Sequence, residues 1–201
     1  MIETIRIANY LAPASAYSWE VASFDGSKIT ASNGMTATIK TATDNLRSAE
    51  FVFILGSWGT EHYRNPKLTA WLRKRARAGE RICGVELGSY IVARAGLLDG
   101  KSATIHWSWL NGFKENFDRV EVEESLFTLD SKVMTCSGGL AGVDLMLRLI
   151  EEINGSSFSG EIADQMLHHP IRSATSPQRS TMGRSTDCLL YTSPSPRDSS
   201  K

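Results

Sequence analysis

The sequence predicts an α/β domain built around a parallel sheet. Three stretches carry that expectation. Residues 79–107 read as a buried strand (Arg81–Val85), a sharp turn (Glu86-Leu87-Gly88), a helix (Ser89–Ala95), a glycine stop at Gly96 and a short strand ending at His106-Trp107. Phe51–Leu55 is an unbroken apolar run, the pattern of a strand covered on both faces. Leu140–Ile153 is amphipathic and, apart from Asp144 and Arg148, apolar most of the way round, which predicts a deeply packed helix. A strand that turns abruptly into a helix puts its turn residue at the carboxyl edge of a parallel sheet, where open α/β sheets bind ligands. In hydrolases the same turn lifts a serine or cysteine nucleophile into the site. Here the exposed position carries Glu86.

The remaining elements follow in order. Ile2, Ile5, Ala8 and Leu11 give an amphipathic helix over about residues 2–11, with no strand before it. Tyr17, Trp19 and Val21 alternate with polar or small residues and predict a strand over Tyr17–Ser23. Asp25-Gly26 and Ser32-Asn33-Gly34 are turn signals around short β candidates at Lys28–Ala31 and Thr36–Ile39. After Phe51–Leu55 comes the loop Gly56-Ser57-Trp58-Gly59, and Asn65-Pro66 opens a helix with proline near its first position. Arg73, Lys74, Arg75 and Arg77 near that helix's end read as a solvated face suited to the helix C-terminus, rather than as a site for an anion. Trp109–Phe117 reads as a helix. Val120–Val122, Leu126–Leu129 and Lys132–Cys136 read as strands, the last two joined by a hairpin at Asp130-Ser131. Gly138-Gly139 leads into the long helix, Asn154-Gly155 ends it, and a last helix spans Phe158–His168 before Pro170. Trp19, Trp71 and Trp109 sit on element faces and read as packing residues.

Composition narrows the function classes. Lys+Arg and Asp+Glu number 22 each, so the formal net charge is zero and there is no basic footprint for nucleic acid. At 201 residues the chain can bury one sizeable core. No apolar run is long enough to cross a bilayer and no signal pattern opens the chain, which predicts a cytoplasmic protein without a membrane partner. Three scattered cysteines suggest neither a disulfide framework nor a zinc site, and no cofactor motif is present. The expected organisation is one domain over residues 1–172 and a linker over 173–186, rich in Ser, Thr, Pro and Gln. Residues 187–201, which resemble translated vector sequence, are read as a non-native tail.

Several motifs together resemble a known family. They are Trp71-Leu72-Arg73-Lys74, Gly79, Ala93-Arg94-Ala95-Gly96-Leu97-Leu98-Asp99-Gly100, Ala103-Thr104-Ile105-His106-Trp107, Thr135-Cys136-Ser137-Gly138-Gly139 and Asp144-Leu145-Met146-Leu147. The combination resembles the N-terminal domain of AraC-type transcriptional regulators of the GlxA-like group. That domain is similar to class I glutamine amidotransferases and PfpI-type proteases. The resemblance covers about residues 1–183, with Gln165–Arg172 and Gln178-Arg179 similar to the segment leading toward the family's DNA-binding region. It implies a doubly wound, flavodoxin-like, mostly parallel sheet in a three-layer sandwich, here incomplete at the N-terminus because the family's opening strand is not in this sequence. It also implies a homodimer that senses a small molecule such as a betaine or an amino-acid derivative. DNA contact would come only through a C-terminal helix-turn-helix region that this sequence does not contain.

The chemistry of the turn decides between the functions this family suggests. The superfamily's enzymes carry Gly-x-Cys-x-Gly at the elbow; this chain carries Gly84-Val85-Glu86-Leu87-Gly88. A thiolate attacks carbonyls near neutral pH, whereas a carboxylate is a poor nucleophile toward amides. Cys83 sits inside the strand and Cys136 at a strand end, where each reads as a small buried hydrophobe. No catalytic residue is therefore expected. The candidate ligand-binding residues are Glu86, Leu87, Gly88, His106, Trp107 and Trp58, because a carboxylate with aromatic faces suits an ammonium group. Four of them have a structural alternative. Glu86 could accept backbone N–H bonds at the helix start, His106 could make a structural hydrogen bond, and each tryptophan could be core. Gly138-Gly139 could cradle an anion, although close strand-to-helix packing explains it as well. The function expected is a non-catalytic sensing and dimerisation domain. The alternatives are a stand-alone PfpI-type hydrolase or amidotransferase-like enzyme, and an oligomerisation module without a ligand.

Overall fold

The computed structural model describes residues 1–39, 41–130 and 132–179. Half of the linker, residues 180–186, and the whole 187–201 tail, with Cys188, lie outside the described residues, as does Ser131 of the expected hairpin turn.

A four-stranded sheet organises the molecule. Its strands are β3 (Phe51–Gly56), β4 (Arg81–Glu86), β8 (Val133–Cys136) and β7 (Phe127–Thr128), in the spatial order β3-β4-β8-β7. β3–β4 and β4–β8 are parallel, with Gly56 opposite Glu86 and Val85 opposite Cys136. β7–β8 is the antiparallel edge. The apolar runs at Phe51–Leu55 and Arg81–Val85 become β3 and β4. β4 is covered on both faces, whereas β3 is an edge of the sheet with Leu55 68% exposed, and so is not the doubly covered strand its unbroken apolar run predicts. Alternation sorts their side chains: Val52 and Ile82 face one core, while Cys83, Val85, Met134 and Cys136 face the other.

The first core is closed by α2 (Pro66–Arg77), α3 (Gly88–Arg94) and α4 (Leu110–Asn116), which contribute Leu68, Leu72, Tyr90, Ile91 and Phe113. The second is closed by α5 (Ala141–Asn154) through Ala141, Leu145, Met146 and Leu149. α1 (Ile2–Leu11) and α6 (Ser156–Gln165) pack outside α5, with Ile7 and Ala8 against Leu147, Ile150 and Ile162. Leu72, Ile82 and Leu145 are fully buried, each worth roughly 1.5–3 kcal/mol of transfer free energy. This is the doubly wound, flavodoxin-like sandwich that the resemblance implied, with a mixed but mostly parallel sheet.

Local chemistry accounts for the boundaries. Asn65 caps α2, its Oδ1 accepting the Leu68 N–H at 3.0 Å, and Pro66 takes the first helical position. Gly155, at φ 88°, ends α5 and lets α6 start at Ser156, two residues earlier than the pattern suggested. β1 (Ile29–Thr30) and β2 (Thr36–Ala37) form the small hairpin expected around Ser32-Asn33-Gly34. β5 (Ser102–Ala103) and β6 (Glu121–Val122) form a short parallel pair.

Four further expectations need correction. Tyr17–Ser23 is not a strand: only Ser23 bridges Ala42, because alternation supplies a face but no neighbouring strand supplies a ladder. Tyr17 is held instead by Asn9, whose side chain accepts the Ala16 and Tyr17 N–H groups and donates to the Tyr17 carbonyl. Trp19 is not a packing residue but is 43% exposed, whereas Trp71 and Trp109 pack against the first core. The strand expected to end at His106-Trp107 stops at Ala103, and Trp107 opens a short 3-10 turn. Arg75 is not part of a solvated face. It pairs with buried Glu80 at 2.6 Å, donates to the Leu46 and Arg47 carbonyls and lies over Trp71, tying α2 to the loop before β3.

Candidate functional site

The site is built from the turn between β4 and α3. Glu86 has φ 53°, a left-handed backbone that L-residues with side chains adopt only at a cost. The glycines on either side explain why the turn is possible. A Cβ on Gly84 would lie 2.7 Å from the Ser89 Cα, and one on Gly88 only 1.9 Å from the Ile54 carbonyl oxygen. Gly56, at the end of β3, meets the Gly88 nitrogen in the same way at 2.6 Å. The helix is thus pressed against the two strands so closely that only hydrogen fits, and Glu86 is pushed outward at the carboxyl edge.

The Glu86 side chain then lies across Gly138, in the loop after β8. A Cβ on Gly138 would stand 2.9 Å from the Glu86 Cβ. Gly138, at φ 93°, is therefore needed for close packing, and the tight contact is with the elbow side chain itself. Glu86 is half-buried and makes no hydrogen bond to any described residue. Burial pushes its carboxyl above the usual range, and the neighbouring His106 imidazole draws it part of the way back. The structural alternative for Glu86, a carboxylate bonded to backbone N–H groups, is not what is seen. His106 has its Nδ1 2.7 Å from the Ser108 hydroxyl, which fixes the ring, and its ring centroid is 5.4 Å from that of Trp107.

Trp107 is 44% exposed, with the Arg179 guanidinium 5.0 Å above its ring. The same guanidinium holds the Glu124 carboxylate through two hydrogen bonds at 3.2 and 3.1 Å. Beside it, the Gln178 amide nitrogen lies within hydrogen-bonding distance of the Thr104 hydroxyl and the Ile105 and Ser125 carbonyls. Residues 173–179 read as linker in the sequence, yet they dock on the rim of the site.

Of the six candidate residues, Glu86, His106 and Trp107 come together. Leu87 does not line the site: its side chain is 0% exposed, in the first core, and its N–H is taken by the Gly56 carbonyl. Gly88 is buried against Ile54 and serves the packing of the elbow. Trp58 stands 76% exposed on its loop, and no ring contact joins it to Trp107 or His106. That loop is pinned from α3, where Arg94 donates to the Thr60, Glu61 and Tyr63 carbonyls. A cavity of about 420 Å³ lies elsewhere, between β7, α5, α6 and residues 171–174. Its cationic side chains are already paired, Arg148 with Glu151 and Arg172 with Asp144, so it is the less chemical of the two places.

The thiols face the second core and not the turn. Cys83 and Cys136 are fully buried; burial pushes the Cys83 thiol well up and the Cys136 thiol to about 11, so neither supplies a thiolate near neutral pH. Among the described residues no group of three or more His, Cys, Asp and Glu side chains could hold a metal ion.

Sequence reasoning missed three features. Gln178 and Arg179 sit in a stretch without periodicity, and their partners are far away in sequence. Asp144 is the third. It is 0% exposed on α5 and accepts from His168 Nε2 at 2.8 Å, the Arg172 N–H at 2.9 Å and the Arg172 guanidinium at 3.0 and 2.6 Å. An acid set among the apolar residues of the first two turns of α5 was the available signal, because a buried charge needs partners.

The model of the DJ-1/PfpI family matches residues 1–152. The chain belongs to the DJ-1/PfpI family. The HTH-type transcriptional regulator CdhR of Pseudomonas aeruginosa is 35% identical over 178 residues, covering 89% of this chain and 53% of the regulator. The chain thus spans about half the length of the regulators it matches. An isonitrile hydratase of Pseudomonas putida is 24% identical over 143 residues, covering 71% of this chain and 62% of the enzyme. Among solved structures, an AraC family transcriptional regulator from Pseudomonas putida superposes with a TM-score of 0.75 at 21% identity, over 82% of this chain and 89% of that one. At that identity the likeness concerns the fold. No helix among the described residues is long and apolar enough to cross a membrane.

Proposed function

We propose that this DJ-1/PfpI domain is the non-catalytic effector-sensing part of a transcription regulator. One observation carries the reading: the strained elbow position, where a nucleophile would stand, holds a half-buried carboxylate without a hydrogen bond to any described residue. Such a group is a poor acyl nucleophile but a ready partner for a cation. The similarity to regulators such as CdhR supports the same conclusion. The effector is a small metabolite with a quaternary or protonated ammonium, such as a betaine or an amino-acid derivative. Glu86 supplies the counter-charge, Trp107 an aromatic face and His106 a polar contact. The domain works as a homodimer in the cytoplasm, and DNA is read by a region outside the described residues.

The family also contains enzymes, which keeps a hydrolase in view as the alternative. It would need a reactive thiol, and both described cysteines are buried with raised pKa values. The test is titration calorimetry of the full chain with glycine betaine, carnitine and a panel of amino acids, beside a Glu86→Gln variant. At least one compound is expected to bind wild type and to bind the variant at least about tenfold more weakly, the loss of one charge-assisted contact. Equal binding by both proteins, or turnover of an amide substrate by wild type, would overturn the reading.

A further inference from the structure

The docked segment at residues 173–179 has a consequence for how the site communicates. It is fastened at three points. The Ala174 carbonyl accepts the Leu126 N–H at 2.8 Å. The Gln178 amide reaches the Thr104, Ile105 and Ser125 oxygens, all buried backbone or hydroxyl groups. Arg179 clamps Glu124 and covers Trp107. The first two attachments are to the body of the domain. The third is to the rim of the proposed effector site, since the Trp107 ring lies 5.4 Å from that of His106, tilted by 37°, and His106 is close enough to Glu86 to act on its charge.

The chemistry of that third attachment is that of a cation site. An aromatic face and a carboxylate, converging on one planar cation, are what an ammonium ligand would use. In this chain the place is taken by an internal guanidinium. We propose that Trp107 and Glu124 form a cation subsite whose resident occupant is Arg179, and that a cationic effector displaces it. The displacement loosens residues 173–179, so that occupancy of the site is passed to the chain beyond Arg179. This rests on the reading of Glu86, His106 and Trp107 as an effector site.

Two features make the exchange feasible. Arg179 and Glu124 are each more than a third exposed, so their pairing is screened by water and gives way to a competitor. Trp107 stays partly open with Arg179 in place, so a ligand gains a foothold before the guanidinium leaves. The Gln178 anchor is more buried and holds the strap near the site, which makes the exchange reversible. An internal competitor also lowers the apparent affinity for the effector, because only the fraction of molecules with Arg179 displaced is competent to bind at the subsite.

The experiment uses the full chain, glycine betaine and tetramethylammonium as probes, and the variants Arg179→Gln and Glu86→Gln. Affinity is read by calorimetry, and strap release by hydrogen exchange in peptides covering residues 124–127 and 173–179. Arg179→Gln is expected to bind a probe about three- to tenfold more tightly than wild type, and its strap to exchange faster without ligand. Wild type is expected to reach that faster exchange when the probe is bound. Binding that Glu86→Gln weakens but Arg179→Gln leaves unchanged, or binding without faster exchange of the strap, overturns this proposal and leaves the effector site standing. Failure of both probes to bind wild type and Arg179→Gln overturns the effector-site reading, and this proposal with it.

Discussion

Two carboxylates in this domain face opposite situations. Asp144 is fully buried on α5, with both oxygens occupied by His168 and Arg172. Glu86 is half-buried on a strained turn, with no hydrogen bond to any described residue. The buried acid is the satisfied one, and the accessible acid is the one left open. Removing a partner from a buried charge is costly, so Asp144 works as a staple that ties residues 168–172 to α5. Glu86 sits on a backbone whose strain the fold has to hold. That pairing of a strained position with a polar group open to a ligand is the ground on which Glu86 is proposed as a binding residue.

The comparison breaks most readily at the elbow itself. In Gly88→Ala the new methyl would stand 1.9 Å from the Ile54 carbonyl oxygen, and the obstacle is backbone, so it cannot swing aside. A loss of about 4 kcal/mol or more in urea unfolding is expected. A variant as stable as wild type would mean that the helix is not pressed against the strand, and that Glu86 need not be held in its left-handed conformation. Next in size is Asp144→Ala, expected to cost about 3–5 kcal/mol because Arg172 and His168 lose a buried counter-charge. Asp144→Ala should leave the affinity of the folded protein for a cationic probe unchanged, since the cluster contains none of the proposed effector contacts. If the affinity falls with it, the two carboxylates belong to one network and the contrast fails.

The elbow was legible because its signals are local. The apolar run Arg81–Val85, the paired glycines at 84 and 88 and the helical pattern after them lie within a few residues of each other, and their packing follows from that order. α2 and α5 were legible for the same reason, through Asn65-Pro66 and through the apolar face ending at Gly155. Tyr17–Ser23 failed because a strand needs a partner and alternation describes only one chain. Leu87 failed because the tight turn sends the residue after Glu86 into the core, which periodicity across a turn does not convey. Glu86, His106 and Trp107 could be brought together from the rule that loops gather at the carboxyl edge, whereas Trp58 obeys the same rule and still projects into solvent. Glu124 and Arg179 are 55 residues apart, and nothing near either one announces the other.

The smallest expected effect sharpens the contrast most, because it has a sign. Burial raises the Glu86 carboxyl above its usual value of 4.5, with His106 opposing. The folded state therefore holds this proton more tightly than the unfolded chain does. The associated stability is fully present below the unfolded pKa and is lost as pH rises through the higher folded value. A glutamine, neutral at every pH, does not take part in that loss. Glu86→Gln is therefore expected to melt close to wild type at pH 4 and slightly above it at pH 7, because the half-buried wild-type side chain has no hydrogen bond to any described residue to offset the cost of its charge. An Asp144→Asn variant should do the reverse, melting well below wild type, because an amide leaves the Arg172 guanidinium without its counter-charge. Thermal melts of the three proteins at the two pH values suffice. If Glu86→Gln melts below wild type at pH 7, the Glu86 charge stabilises the fold, and the elbow carboxylate is a second staple instead of an open binding group.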